Sequence, residues 1–148
     1  MHNRFGARVV EVELRLDEVV ASSAGTRIAA RPILQLGPRE TSFFRSSFRP
    51  ILGIGEPSQG ERADLVVHLF ESDSLIGDDA ESKEDFLGQF FRRVLDLIIR
   101  KDFFPMKPTV RVIGVETLDA VTAGFGRPLM RRALADAGAH SVEFAASA

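Results

Sequence analysis

The sequence contains no cysteine, no tryptophan and no tyrosine. Without cysteine the chain has no disulfide bond, no thiol nucleophile, and no metal or iron–sulfur site with thiolate ligands. Its aromatic side chains are 12 phenylalanines, which carry no hydrogen-bonding group. These absences exclude thiol chemistry and tyrosine acid–base chemistry before any motif is considered.

Long hydrophobic runs are also missing. Apolar stretches such as 97–99 are far shorter than the roughly 18–20 residues of a membrane-spanning helix. The first residues lack the cationic start and apolar core of a secretory signal, so we expect a cytoplasmic protein. The length of 148 residues, with 45% hydrophobic and 27% charged side chains, predicts a single domain over residues 1–148.

The net charge of −2 conceals an uneven distribution. Residues 1–55 carry a net +3, residues 56–85 a net −8, and residues 86–148 a net +3. We call residues 56–85 the acidic segment; such a segment repels itself unless it is solvated or binds cations. Two interpretations are therefore open, a solvated loop and a cation site. Nucleic acid is not an expected partner, because the chain lacks an overall basic charge.

The first half of the chain has the pattern of β-strands. Within Arg8–Leu16, apolar and charged residues alternate from Val10 onward, and this period of two is typical of a half-buried strand. After a turn of small residues at 21–25, Ile28–Leu36 is predicted as a second strand, with Pro32 indicating an edge position or a strand start. Further extended segments are predicted at 41–54, 64–70, 109–115 and 141–145.

Two segments carry the pattern of amphipathic helices. Over 82–101 the apolar residues recur at intervals of three and four, and Ser82 with Asp85 resembles a capping box. Gly88 opposes this helix, since glycine in a helix interior costs about 1 kcal/mol. A second helix is predicted at 127–137, with Pro128 in its first turn and Gly138 at its C-terminal cap. The apolar face of the first helix is Leu87, Phe90, Phe91, Val94, Leu95 and Ile98.

One stretch, residues 64–89, resembles a known family. An apolar strand is followed by the spaced acids Glu71 and Asp73, and Asp85 precedes Phe86-Leu87-Gly88. This order is similar to that of the C2 domain, a calcium- and lipid-binding antiparallel β-sandwich. The resemblance implies a Ca²⁺ site, and Ca²⁺ takes 6–8 oxygen ligands that carboxylates on flexible loops supply. The implied ligands are Glu71, Asp73 and Asp85, with Asp78 and Asp79 in the intervening loop.

Two folds follow from these patterns. The first is a mainly β, C2-like antiparallel sandwich with one or two C-terminal helices. The alternative is a two-layer α+β fold, in which helices at 82–101 and 127–137 cover one face of a mixed sheet. C2 domains continue from the glycine after the last acid as a strand, so the conformation of residues 84–101 distinguishes the two.

We expect a non-catalytic binding or scaffolding module that engages protein, or phospholipid, through its loops. The sequence has no phosphate-binding loop, no dinucleotide fingerprint and no nucleophile–base arrangement, and Ca²⁺ is the one cofactor that the acids suggest. One alternative is a metal-dependent hydrolase with Glu71, Asp73 and Glu116 at strand ends. The other alternative is a structural subunit of a larger assembly.

Overall fold

The computed structural model describes residues 9–37, 40–42, 45–48, 51–55, 65–70, 80–99, 107–122 and 126–145. Within these ranges the chain forms ten strands and three helices. In chain order they are β1 (Val9–Leu14), β2 (Val19–Ser23), β3 (Thr26–Ala30), β4 (Ile33–Leu36), β5 (Glu40–Ser42), β6 (Arg45–Phe48), β7 (Ile51–Ile54), β8 (Leu65–His68), α1 (Ala80–Ile99), β9 (Thr109–Ile113), α2 (Glu116–Thr122), α3 (Gly126–Asp136) and β10 (Ser141–Ala145).

The largest sheet has five strands in the order β10-β9-β1-β2-β3. The pairs β1–β2 and β2–β3 are antiparallel, whereas β1–β9 and β9–β10 are parallel. The strands that lie between β3 and α1 in the sequence form two further sheets. These are a three-stranded antiparallel sheet in the order β7-β4-β8 and the antiparallel pair β5–β6. The fold is therefore of the α+β class. The expected antiparallel C2-like sandwich is not confirmed, because two pairings of the main sheet are parallel.

Strand β1 forms where the alternating pattern predicted it. Val10, Val12 and Leu14 are buried in the core, while Val9 and Glu11 point to the opposite face and are exposed. Successive side chains of a strand point to opposite faces, so the sequence alternation directly becomes one core face and one outer face. The prediction is confirmed over Val9–Leu14, whereas Leu16, which the alternation also predicted to face the core, lies beyond the strand and is exposed.

Helix α1 covers the core face of the main sheet, and it confirms the helix predicted at 82–101. It packs against α3, against β2 and β3 of the main sheet, and against β4 and β7 of the second sheet. Phe90 and Phe91 are both fully buried, with their rings edge to face at 5.3 Å. Adjacent helical residues point in different directions, so both can be buried only because α1 has neighbours on more than one side. In this region the C2 resemblance implied a strand.

Gly88 lies where α1 packs against α3. A Cβ at this position would lie 3.5 Å from the carbonyl oxygen of Ala133 and 3.5 Å from Cβ of Asp136, which are ordinary contact distances, so the helix spacing does not require a glycine. Nearby, Nη2 of Arg92 donates a hydrogen bond to the carbonyl oxygen of Asp136. The contacts of α1 with its neighbours offset the helix-propensity cost of the glycine.

The segment predicted as one strand, Ile28–Leu36, is two strands in different sheets. Pro32 separates β3 from β4, and the proline carbonyl accepts a hydrogen bond from the backbone N–H of Leu69 at 2.8 Å. Since proline fixes φ and has no N–H, it interrupts the ladder of β3 and lets the chain change sheets. β4 is then the central strand of its sheet.

Other predicted boundaries were wrong. The turn expected at 21–25 consists of only Ala24 and Gly25, both with positive φ, as in a tight two-residue hairpin, and β2 precedes it. Ser82 lies inside α1 rather than at its cap, because the helix begins at Ala80. The short helix α2 was not predicted.

Helix α3 confirms the helix predicted at 127–137. Gly138 follows its last turn with φ of 106°, and the N–H of Ala139 donates to the carbonyl oxygen of Leu134 at 2.9 Å. This is the glycine-terminated helix end that the sequence predicted. None of the helices in the described ranges combines the length and the apolar character that a membrane span needs.

Candidate functional site

Four of the five predicted calcium ligands, Glu71, Asp73, Asp78 and Asp79, lie outside the described residues. Asp85 falls in the second turn of α1. Among the side chains that the structure does describe, no group of three or more His, Asp or Glu is placed to hold a metal ion. The calcium site therefore stays a prediction about the acidic segment.

The main sheet reverses its strand order between β1 and β9. From β1 the chain proceeds outward through β2 and β3, then returns to place β9 on the other side of β1. In open sheets with parallel strands, ligands bind beyond the carboxyl ends of the strands at such a reversal. Here those ends are formed by residues 14–18 after β1 and 114–117 after β9, which we call the switch-point edge.

The turn after β1 contains ion pairs and no glycine. The backbone N–H of Arg15 donates to the carbonyl oxygen of Glu18 at 2.9 Å, and the Arg15 guanidinium pairs with Glu13 at 3.1 Å and Glu18 at 3.5 Å. The same turn exposes Leu16 and Asp17. Phosphate loops use successive backbone N–H groups, commonly on glycine. In place of such N–H groups, this turn carries the carboxylates of Asp17 and Glu18.

The ends of β1 and β9 are joined directly at the switch-point edge. Gly114 has φ of 83°, and a Cβ there would lie 2.6 Å from the carbonyl oxygen of Leu14. Oγ1 of Thr117 donates a hydrogen bond to the same oxygen at 3.3 Å, and the Thr117 N–H donates to the carbonyl oxygen of Gly114 at 3.0 Å. Protein atoms thus occupy the space next to the end of β1.

Of the three acids suggested for a hydrolase, the structure describes only Glu116. It is exposed at the start of α2, directly beyond the carboxyl end of β9, which confirms the strand-end position that the sequence predicted. Glu71 and Asp73 lie outside the described residues. The arrangement needed to hold a metal between these acids is therefore not established.

A row of charged side chains crosses the face of the main sheet opposite the helices. The strand registers align one residue from each strand, and four of the five are exposed. Arg111 and Glu11 form an ion pair at 3.8 Å, with each side chain about half exposed. From β10 to β3 this row, which we call the charged row, consists of Glu143, Arg111, Glu11, Ser22 and Arg27.

The charged row borders a shallow depression of about 390 Å³ next to the β2–β3 turn. Its lining includes Glu11, Ser22 and Arg27 together with Val9 and Thr26. Sequence reasoning found the outward position of Glu11 from the alternation in β1. It could not find the row, because the register between strands distant in sequence is not visible in any one of them.

Comparisons with known proteins add one finding about the fold. No family model matches the sequence, and no curated protein matches it either. A solved structure of a non-polymerising mutant of MamK bound to AMPPNP is similar, with a TM-score of 0.55 at 8% sequence identity. The likeness covers 95% of this chain and 41% of that chain, so this chain spans less than half of its length. At this identity the likeness concerns the fold alone.

We predict that Gly114→Ala destabilises the protein by roughly 2–4 kcal/mol, since the new Cβ meets the Leu14 carbonyl and the backbone is left-handed. Gly138→Ala is the matched control, because it has φ of 106° but no atom within 4 Å of the added Cβ. We expect it to cost about 1 kcal/mol. Urea unfolding measures both, and equal losses would show that the contact between the two strand ends contributes nothing.

Proposed function

We propose that this chain is a non-catalytic binding or scaffolding module. The observation that carries the proposal is the switch-point edge, where Gly114 and Thr117 pack against the Leu14 carbonyl in the region in which open parallel sheets hold ligands; we take this edge to be closed. The turn at 15–18 supports the same conclusion, since its carboxylates repel phosphate. The chain then acts through its surfaces rather than through a reaction centre.

The outer face of the main sheet is a suitable surface for this role. Its exposed charges alternate in sign along the charged row, and a shallow depression lies beside them. Alternating charges select a partner surface of matching pattern and disfavour others, which favours specific over indiscriminate binding.

The proposal predicts that AMPPNP or ATP with Mg²⁺ leaves the thermal unfolding midpoint unchanged. A nucleotide bound only to the folded state at about 100 times its Kd would add ~2.7 kcal/mol of stability, which a thermal shift assay detects. Mg²⁺ alone is the control for a salt effect. A rise in the midpoint that saturates with nucleotide concentration would contradict a module with a closed edge.

A second candidate is a structural subunit of a larger assembly. It is favoured by the comparison in which this chain corresponds to 41% of a longer chain that is described as a non-polymerising mutant.

Sedimentation velocity over a wide concentration range separates the two candidates. A binding module is expected to sediment as a monomer at every concentration, because its partner is absent. A structural subunit is expected to form larger species as the concentration rises, by mass action. Glu11→Arg breaks the alternation of charge along the charged row. If the larger species form through this face, the variant should form less of them.

The binding role includes a cation-assisted form, which rests on the charge of the acidic segment and not on the C2 fold, since α1 occupies the region where that fold has a strand. In this form Glu71, Asp73, Asp78, Asp79 and Asp85 of the acidic segment bind Ca²⁺, and the loaded segment engages a protein or phospholipid. The support for it is the net charge of −8 over residues 56–85, which a bound cation would offset.

Calorimetric titration with Ca²⁺ tests the cation-assisted form. We expect heat of binding and a stabilised fold at millimolar Ca²⁺, both lost in the variant Asp73→Asn, Asp78→Asn. Asp17→Asn, which removes an exposed carboxylate outside the acidic segment, is the control and should bind like the parent. Absence of heat in the parent would leave a module that binds protein without a cation.

A further inference from the structure

Two arginines of α3 share one aromatic ring at the edge of the main sheet. The guanidinium carbon of Arg127 lies 5.5 Å from the centre of the Phe144 ring, and that of Arg131 lies 5.0 Å from it. The arginines are one helical turn apart, a spacing that brings two side chains to the same face of a helix. Phe144 of β10 is half-buried and packs against the core, so it is a fixed platform for both cations.

The two positive charges are not neutralised within the part of the chain that the structure describes. Neither Arg127 nor Arg131 lies within ion-pair distance of a described carboxylate, although Arg15 and Arg111 each pair with glutamate. Both side chains belong to exposed residues. Nη1 of Arg131 donates a long hydrogen bond of 3.4 Å to the carbonyl oxygen of Val142, which orients the group and leaves its other N–H donors available.

This geometry suits a ligand that carries carboxylates. A guanidinium packed on an aromatic ring loses less side-chain freedom on binding, and its planar fork matches the two oxygens of a carboxylate. Two forks one helical turn apart match two acidic side chains of a single peptide segment. The site is small and lies on a chain with net charge −2, which disfavours a long polyanion such as a nucleic acid.

We propose that Arg127 and Arg131, held on Phe144, form a docking site for a carboxylate-rich peptide segment of a partner protein. The proposal rests on the role as a binding module and names one surface and the chemistry of its partner. Each arginine contacts one acidic side chain, and the β10 edge lies alongside the peptide.

Fluorescence anisotropy with a labelled glutamate-rich peptide tests the site. We expect saturable binding that weakens with salt, and no binding of the same peptide with glutamine in place of every glutamate. Arg127→Gln with Arg131→Gln should weaken binding roughly tenfold. Lys107→Gln is the charge-removal control: Lys107 is an exposed cation outside α3 and outside the charged row, and its loss should leave the affinity unchanged.

Phe144→Leu tests whether the aromatic ring contributes to peptide binding or whether the two arginine charges are sufficient. It keeps both arginines but removes the ring, so the proposal predicts weaker peptide binding with a native circular dichroism spectrum. The proposal is overturned if the double arginine variant binds like the parent, or if Lys107→Gln loses as much affinity. Tighter binding of a single-stranded oligonucleotide than of the peptide would also overturn it. If the peptide site fails in one of these ways, the nucleotide and sedimentation experiments still test the proposed binding module independently.

Discussion

The burial of α1 is the constraint on which the rest of the structure depends. This helix contacts the main sheet, the second sheet and α3, so it is the element that links all three. Phe90 and Phe91 are both fully buried, and each buried side chain of this size contributes roughly 1.5–3 kcal/mol. Helix α1 packs against α3, and α3 in turn positions the arginines that lie over Phe144.

The same core determines where function can be located. Helices occupy the core face of the main sheet, so the charged row on the opposite face is left exposed in the described part of the chain. At the switch-point edge, Gly114 leaves room for the Leu14 carbonyl, which a side chain at this position would meet. Within the described ranges, the outer face of the sheet and the edge at β10 both present charged side chains.

Much of the fold could be predicted because its patterns are local. The alternation of β1 and the three-and-four spacing of α1 follow from which side chains meet the core, and both were predicted close to their observed limits. Pro32 was predicted as an edge position or a strand start, and β4 does begin after it, but the change of sheet there and the short helix α2 were not predicted, since neither has a periodic pattern long enough to recognise. The strand-end position of Glu116 was predicted, whereas the charged row and the Arg127–Arg131 pair were not.

The sequence by itself determined the absence of thiol chemistry, the uneven charge, the core faces of β1 and α1, and the glycine-terminated end of α3. Each depends on residue type or on neighbours within a few positions. Tertiary structure alone decided that β9 and β10 pair in parallel beside β1, and therefore that the fold is α+β. It also decided which charges align across five strands and which arginines share Phe144. The β1–β9 register joins segments about 100 residues apart, and the contacts with Phe144 depend on how α3 packs beside β10; no local pattern encodes either.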